Sequence, residues 1–284
     1  MTLLPPRLLV ATDLDRTMIY SRNAFGPAAA ADTVCVEHLG GEPLSYMTTT
    51  AATRLRELAR AAAVLPTTTR TVEQFLRIRL PGQPWRYAVT SNGGNILADG
   101  VPDLGWRAGI DSAVRTGGAT LAEIGAELRT RIDERWVNKF RVADDLFCYL
   151  VVIPDAVPVD FLAEWDDWCR TRGWSASRQG RKIYTMPLAV CKSQAVTEVR
   201  DRLIAAGALD PTGDTVAAGD GALDAEMLAA ADRAIRPRHG ELEELGWTAP
   251  GLSVTTATGI LAGAEIVDWF IDSAVAAHGE RAAS

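Results

Sequence analysis

The sequence lacks the features that mark several classes of protein. Its four cysteines (Cys35, Cys148, Cys169 and Cys191) are scattered without a Cys-x-x-Cys pair, which argues against a disulfide framework and a metal-thiolate site. No apolar run approaches the roughly 20 residues that a membrane-spanning helix needs. The start, Leu3-Leu4-Pro5-Pro6, lacks the basic residues and long apolar core of a signal peptide. These absences predict a cytoplasmic protein that does not bind a membrane.

The chain also lacks an excess of basic residues. Its 29 Lys and Arg against 36 Asp and Glu give a net charge of −7, without a basic run, which argues against a nucleic-acid partner. Charged residues make up 23% and hydrophobic residues 48% of the 284 residues, as in an ordinary globular protein. This length corresponds to one large or two small domains, and no internal repeat or low-complexity tract is present.

Short apolar runs alternate with helical stretches in the first and last parts of the chain. The pattern predicts strands at 8–12, 63–67, 87–90, 215–218 and 252–256, and helices at 49–61, 69–79, 193–206, 225–231 and 262–275. The stretch at 20–47, with its Gly, Pro and Ala residues, is expected to be irregular. This alternation of strands and helices predicts an α/β fold whose core is a doubly wound, Rossmann-like parallel sheet with helices on its faces.

This alternation of short strands and helices changes in the middle of the chain. A strong strand is predicted at 147–153, an amphipathic helix at 160–172, and a strand or hairpin at 174–186. In that helix, Phe161, Trp165 and Trp168 recur at helical spacing, which favours packing over a stacking platform. We therefore expect a core domain of residues 1–97 and 186–284, with an inserted α+β domain of residues 98–185.

Two acidic motifs each follow a predicted strand. Asp13 and Asp15 come after the strand at 8–12, and Asp220 and Asp224 come after the strand at 215–218. Either motif alone is also compatible with an ordinary capped turn. The carboxyl ends of parallel strands meet at one edge, and clustered carboxylates repel each other unless a cation lies among them. The pair of motifs therefore predicts a site for a hard divalent cation, most plausibly Mg²⁺.

Phosphate-binding groups are available as well. Thr68, Thr69 and Arg70 follow the second predicted strand and open a helix, where a hydroxyl and exposed N–H groups can bind phosphoryl oxygens. Lys192 opens a later helix and can add a point charge. The alternatives are that the threonines only cap the helix and that the lysine is solvated surface.

In this order, the motifs resemble those of the haloacid dehalogenase superfamily of phosphatases and phosphotransferases. They are Asp13-x-Asp15-x-Thr17, Thr68-x-Arg70, Lys192 and Gly219-Asp220-Gly221-x-x-Asp224. Asn92-Gly93-Gly94 is similar to the Asn-Gly-(Ala/Gly) signature of the type IIB branch, which carries its cap domain between the second and third motifs. Two residues depart from the pattern: Arg16 replaces the usual glycine, and Leu223 replaces a frequent asparagine.

The resemblance implies a role for each motif residue. Asp13 is the expected nucleophile and Asp15 the expected acid and base, with Thr68 and Lys192 stabilising the phosphoryl group. Mg²⁺ is expected to bind Asp13, the backbone carbonyl of Asp15 and Asp220, with Asp224 either as a further ligand or as a group that orients the ligands. The expected substrate-binding residues are Thr69, Arg70, Asn92 and, in the cap, Arg178, Arg181 and Lys182. Asn138, Lys139 and Arg141 are weaker candidates, and solvated surface is the alternative for every cap residue.

The sequence thus predicts a Mg²⁺-dependent phosphatase that hydrolyses a small-molecule phosphate monoester, such as a sugar phosphate, through an aspartyl-phosphate. One alternative is a phosphomutase that uses the same nucleophile. Another is a signalling or binding module that accepts phosphate without turnover, although receiver domains are much shorter and lack an acid two residues after the acceptor. The expected partner is the phosphate ester itself, and no pattern indicates a protein partner.

Overall fold

The computed structural model describes residues 4–27 and 32–283. The chain divides into two compact units. Residues up to 102, together with those from 192 onward, form the first, which we call the core unit. Residues 103–191 form the second, which we call the inserted unit.

The strands, in chain order, are β1 (Leu8–Thr12), β2 (Thr33–Leu39), β3 (Glu42–Thr48), β4 (Ala63–Pro66), β5 (Tyr87–Thr90), β6 (Asn95–Ala98), β7 (Val101–Pro102), β8 (Val137–Ala143), β9 (Phe147–Val152), β10 (Trp174–Gln179), β11 (Lys182–Pro187), β12 (Asp214–Ala218), β13 (Arg233–Arg236) and β14 (Leu252–Val254). The α-helices are α1 (Thr49–Ala61), α2 (Val72–Leu76), α3 (Leu104–Gly117), α4 (Leu121–Arg131), α5 (Phe161–Arg170), α6 (Lys192–Ala205), α7 (Ala225–Ala230), α8 (Glu241–Glu244) and α9 (Ile260–Ala283).

The centre of the core unit is a five-stranded parallel sheet in the order β14-β13-β12-β1-β4. Side chains alternate between the two faces of the sheet along each strand, and helices lie against both faces. Leu8 and Val10 of β1 join the apolar core that contains residues of α1 and α9. Ala11 and Ala217 instead line a space bordered by residues of α6 and α7. This arrangement confirms the predicted α/β fold and its parallel sheet.

An antiparallel hairpin of β2 and β3 occupies most of the stretch that we expected to be irregular. That expectation was wrong because the glycines of this stretch lie outside the two strands: Gly26 precedes β2, and Gly40 and Gly41, both with positive φ, form the hairpin tip. Backbone bonds between Tyr20 and Tyr46, at 2.9 and 2.8 Å, attach the hairpin to the chain that follows β1. The strand register shifts on both sides of Glu37, so the hairpin is bulged there.

Other elements differ from their predicted extent. The helix expected at 69–79 is the short α2, because Thr71 caps it in a capping box with Gln74. Strand β13 was not predicted, although it pairs with both β12 and β14 in the sheet. Helix α1 and strand β1, in contrast, have the predicted bounds.

The inserted unit contains a four-stranded antiparallel sheet in the order β10-β11-β9-β8. Its helix α5 packs against β10, and the fully buried Trp165 of α5 donates its indole N–H to the Thr185 hydroxyl of β11 at 2.9 Å. Trp168 stacks on Trp165 with ring centroids 5.0 Å apart. These tryptophans are therefore packed within the unit. Among the residues that the structure describes, no helix is both long and apolar enough to cross a membrane.

Candidate active site

An acidic cluster forms where β1 and β12 end. Asp13 directly follows β1, and its amide donates to the carbonyl of Ala218 at the end of β12. Asp220 and Asp224 follow β12 within a few residues. One carboxylate oxygen from each of the three aspartates lies within 4.8 Å of the other two, and all three side chains are buried. We call Asp13, Asp220 and Asp224 the carboxylate cluster.

Lys192, the first residue of α6, is buried against this cluster. Its ammonium donates to Asp13 Oδ1 at 2.7 Å and to Asp224 Oδ1 at 2.5 Å. Burial raises the pKa of Asp13 to about 7, although the charge of Lys192 acts to lower it. Burial also acts to lower the pKa of Lys192, but the attraction of Asp13 and Asp224 outweighs this effect, so the pKa lies above its usual value. The two carboxylates therefore stabilise the charged form of the buried Lys192, while burial makes the ionised form of Asp13 costly.

Two glycines allow the carboxylates to lie against the backbone. A Cβ at Gly219 would overlap the side chain of Asp224, and a Cβ at Gly240 would overlap Asp220. Gly240 also has φ of 91°, which side-chain-bearing residues rarely adopt. The amide of Gly221 donates to Asp224 Oδ2 at 2.9 Å, which fixes the second carboxylate of this motif. Gly219 and Gly240 thus each have a steric reason.

The donor set of the cluster suits a divalent cation. With all groups ionised, three aspartates and one lysine carry −3 + 1 = −2 charges in a buried space. Carboxylate oxygens are the ligands that Mg²⁺ prefers. A divalent cation would therefore neutralise the cluster, and Asp13, Asp220 and Asp224 are the residues that fit it.

Asp15 has a different environment. Its carboxylate accepts two bonds from the Arg70 guanidinium, from Nε at 2.7 Å and from Nη2 at 2.8 Å. It does not belong to the carboxylate cluster, so a contribution of its backbone carbonyl to metal binding stays a prediction. The third nitrogen of Arg70 donates to Glu37 at 2.7 Å. Burial acts to lower the pKa of Arg70, but the charges of Asp15 and Glu37 raise it above its usual value.

The predicted phosphate-binding turns lie together at the end of β4. Thr68 and Thr69 are buried, and the Thr68 hydroxyl accepts from the amide of Arg70 at 3.2 Å. The amide of Asn92 donates to the carbonyl of Thr68 at 3.0 Å, which joins the two turns. Asn92 has φ of 60° and Gly93 has φ of 102°, and asparagine and glycine are residue types that adopt such positive values. The turn of Asn92 also packs against α6, which carries Lys192.

The predicted cap residues lie on the sheet of the inserted unit. Arg178 belongs to β10 and Lys182 to β11, with Arg181 in the turn that joins them. Lys182 lies over the rings of Tyr149 and Tyr184, 5.5 and 5.9 Å from their centroids. Asn138, Lys139 and Arg141 are exposed on β8. Their binding of substrate stays a prediction.

Three residues near the site were not predicted as functional. Glu37 lies on a hairpin that the sequence did not reveal, so its position opposite Arg70 had no sequence signal. Arg16 was noted as a departure from the motif, and its Nε lies 3.6 Å from Asp220 Oδ2. His239 bonds the carbonyl of Arg16 at 2.8 Å and accepts from the amide of Gly259 at 3.2 Å. Burial lowers the pKa of His239, which favours the neutral imidazole that this pair of bonds requires.

Several solved structures are similar to this chain over nearly its whole length. The sucrose-phosphatase from Synechocystis, solved with sucrose and phosphate, matches with a TM-score of 0.63 at 15% identity, over 93% of this chain and 98% of that chain. A subclass IIB sugar phosphatase of the haloacid dehalogenase superfamily matches with a TM-score of 0.54 at 11% identity, over 92% and 98%. A trehalose-6-phosphate phosphatase related protein matches with a TM-score of 0.52 at 16% identity, over 92% and 96%.

No protein-family model and no curated protein matches the chain. At these sequence identities, the structural similarity establishes the fold. The chain has the fold of these phosphatases, one of which is a subclass IIB member of the haloacid dehalogenase superfamily, in agreement with the fold that its motifs predicted.

Proposed function

We propose that this protein is a Mg²⁺-dependent phosphatase that hydrolyses a small-molecule phosphate monoester through an aspartyl-phosphate on Asp13. The observation that carries the proposal is the buried contact of Lys192 with Asp13 and Asp224, in a cluster completed by Asp220. This cluster lies at the carboxyl edge of a parallel sheet, where such folds bind ligands. The similarity in fold to sugar phosphatases supports the same conclusion.

In the first step, a carboxylate oxygen of Asp13 forms a bond to phosphorus while the bond from phosphorus to the ester oxygen breaks. Lys192 favours the ionised, nucleophilic form of Asp13 through their contact at 2.7 Å. For this step Asp15, two residues further on, is in its protonated form, with one oxygen accepting from Arg70 and the other carrying the proton that it donates to the departing alkoxide. The products of this step are an alcohol and an acyl phosphate on Asp13.

In the second step, water attacks the phosphorus of the aspartyl-phosphate. Asp15, now ionised, takes the proton of that water, and the bond from phosphorus to Asp13 breaks. Inorganic phosphate leaves, and both aspartates return to their starting states. The same carboxyl group thus serves as acid and then as base.

The negative charge of the phosphoryl group is the main obstacle to the approach of Asp13. When bound, Mg²⁺ would supply positive charge that offsets this repulsion, held by Asp13, Asp220 and Asp224. The Thr68 hydroxyl and the ammonium of Lys192 stabilise the phosphoryl oxygens from the protein side. A buried site strengthens these contacts, because water screens them less.

We assign sugar phosphates as the substrate class. The solved neighbours include phosphatases named for sucrose and for sugars. Basic side chains of the inserted unit, Arg178, Arg181 and Lys182, are the candidates for contact with the non-reacting part of the substrate. Thr69 and Asn92 are the candidates within the core unit.

The proposal is tested by measuring phosphate release from a panel of sugar phosphates, nucleotides and phosphoglycerates, with Mg²⁺ and with EDTA. We expect Mg²⁺-dependent release that Asp13→Asn abolishes. Asp201→Asn, an exposed aspartate on α6, is the matched control and should leave activity unchanged. A folded protein that is inactive across the panel with Mg²⁺ would contradict the proposal. Isomerised sugar phosphate without phosphate release would indicate a mutase, and a phosphorylated Asp13 that persists for minutes would indicate an acceptor module.

A further inference from the structure

Arg70 connects Asp15 to a buried carboxylate on another element. Two nitrogens of its guanidinium form a fork on Asp15, and the remaining one, Nη1, bonds Glu37 Oε1 at 2.7 Å. Glu37 lies on β2 and its side chain is 0% exposed, whereas Asp15 is 38% exposed. The planar guanidinium is therefore held from two sides, by one partially exposed and one fully buried acid.

Glu37 is itself fixed in place. The Ser45 hydroxyl, from the facing strand β3, donates to Glu37 Oε2 at 2.6 Å. Arg77 provides a second cation, 3.5 Å from Oε1. The bulge in β2 at Glu37 and the backbone bond from Arg79 to Val36, at 2.7 Å, hold this part of the hairpin against the chain that follows α2. A buried carboxylate is costly unless it is paired, and Glu37 has both its oxygens engaged.

The backbone of Arg70 is equally constrained. Its amide donates to the Thr68 hydroxyl at 3.2 Å, and its carbonyl accepts from the amide of Ser91 at 2.7 Å. The base of the side chain is therefore fixed by the turn, and its tip is fixed by Glu37. With both ends fixed, the two nitrogens that face Asp15 have a defined direction.

We propose that Glu37 is a positioning residue that acts through Arg70 to hold the Asp15 carboxyl group in its working orientation. The inference rests on the proposed function, because it concerns the acid and base of that reaction. It assigns the β2–β3 hairpin a part in proton transfer, and it gives Arg70 the role of holding Asp15. Glu37 and Arg70 do not touch the reacting atoms in this scheme.

The test exploits the different needs of two leaving groups. An alkoxide needs a proton from Asp15 as it departs, whereas p-nitrophenolate leaves without one. The readout is the ratio of kcat/KM for an alkyl phosphate to kcat/KM for p-nitrophenyl phosphate, because kcat/KM reports the steps up to departure of the leaving group. A smaller fraction of folded protein lowers both values equally, so it leaves the ratio unchanged.

We expect Glu37→Ala to lower kcat/KM for the alkyl phosphate by roughly 10- to 100-fold, within the range of general acid catalysis, and that for p-nitrophenyl phosphate by less than about 3-fold. Glu37→Gln keeps an acceptor for Arg70 and should have a smaller effect. Arg70→Lys keeps the charge without the fork and should change the ratio as Glu37→Ala does. The matched control is Glu73→Gln, which alters a 91% exposed partner of Arg77 and should change neither value.

Asp15→Asn separates failure of this inference from failure of the proposed function. If Asp15→Asn changes the ratio and Glu37→Ala does not, the role of Glu37 is refuted while the phosphatase stands. If the wild-type protein releases no phosphate from any ester, the proposed function fails and the role of Glu37 fails with it. A crystal structure of Glu37→Ala provides a readout without activity. There we expect the fork between Arg70 and Asp15 to be lost, and an unchanged fork would overturn the inference.

Discussion

At the scale of single residues, the unusual property of the site is the cost of ionising Asp13. Burial raises the pKa of this carboxyl group to about 7, and its contact with Lys192 compensates only in part. Asp13 is therefore a group whose ionised form the folded protein disfavours relative to the unfolded chain. This cost falls on the residue that we propose as the nucleophile.

A stability measurement follows from this pKa. Because the folded protein retains the Asp13 proton up to about pH 7 and the unfolded chain loses it near 3.8, stability falls as pH rises through this window. Asp13→Asn should therefore raise the unfolding temperature of the metal-free protein at pH 8, by roughly 2–4 °C for a gain of about 1 kcal/mol. The gain should shrink at pH 5, where wild-type Asp13 is protonated.

Thermal unfolding in EDTA at both pH values checks this expectation. Asp201→Asn, whose aspartate is exposed, is the control that should show no gain at either pH. A loss of stability in Asp13→Asn at pH 8 would mean that the contact with Lys192 outweighs the burial of Asp13.

Arg16 supports a second prediction at this scale. It has φ of 62° where the related motif has glycine, and its guanidinium lies 3.6 Å from Asp220. Because this cation competes with a metal for the same carboxylate, Arg16→Asn should bind Mg²⁺ more tightly, by roughly 3- to 10-fold for about 1 kcal/mol of removed competition. Isothermal titration calorimetry measures the affinity directly.

Two further variants separate charge from backbone strain. Asparagine tolerates positive φ without a charge, Arg16→Gly also removes the strain, and Arg16→Lys retains the charge. Equal Mg²⁺ affinity in the wild type and all three variants would show that Arg16 does not compete for Asp220.

At the scale of elements, the turn after β12 determines where the second acidic motif lies. The side chain of Asp224 packs against the backbone of Gly219 so closely that a Cβ would overlap it. We expect Gly219→Ala to displace Asp224, to reduce activity at least 10-fold, and to destabilise the protein by about 1–3 kcal/mol through steric overlap. Phosphate release and thermal unfolding measure the two effects.

The matched control lies in the interior of α3. A Cβ at Gly109 meets nothing within 4 Å, so Gly109→Ala should stabilise its helix by about 0.5–1 kcal/mol and leave activity intact. If Gly219→Ala also leaves activity intact and does not destabilise the protein, the turn after β12 accommodates a Cβ despite its close packing.

At the scale of the whole molecule, the elements that were predicted correctly are those whose formation depends on a local pattern of residues. The apolar run of β1 and the capped helix α1 were predicted at their observed bounds, because burial and capping leave strong local signals. The hairpin of β2 and β3 was missed, since its irregular register and glycine tip obscure the alternation of side chains. Strand β13 was missed because a four-residue strand that begins and ends in arginine gives little apolar pattern.

The same distinction applies to the site. Asp13, Asp220 and Asp224 were expected to converge, because parallel strands bring their carboxyl ends to one edge of the sheet. Glu37 is a single acid in a strand, and only the folded hairpin places it beside Arg70. Residues that come together only in the tertiary structure have no characteristic spacing in the sequence, so sequence analysis cannot pair them.

The pairing of β1 with β12 has a consequence for the order of events during synthesis. Asp13 directly follows β1, near the start of the chain, yet its ammonium partner on α6 and both other carboxylates come from the last third. A growing chain therefore carries Asp13, the proposed nucleophile, long before it carries a counter-charge. Because the three carboxylates meet only when these distant segments pair, a metal bound by all three would report completion of the core sheet, and its binding and folding would stabilise each other.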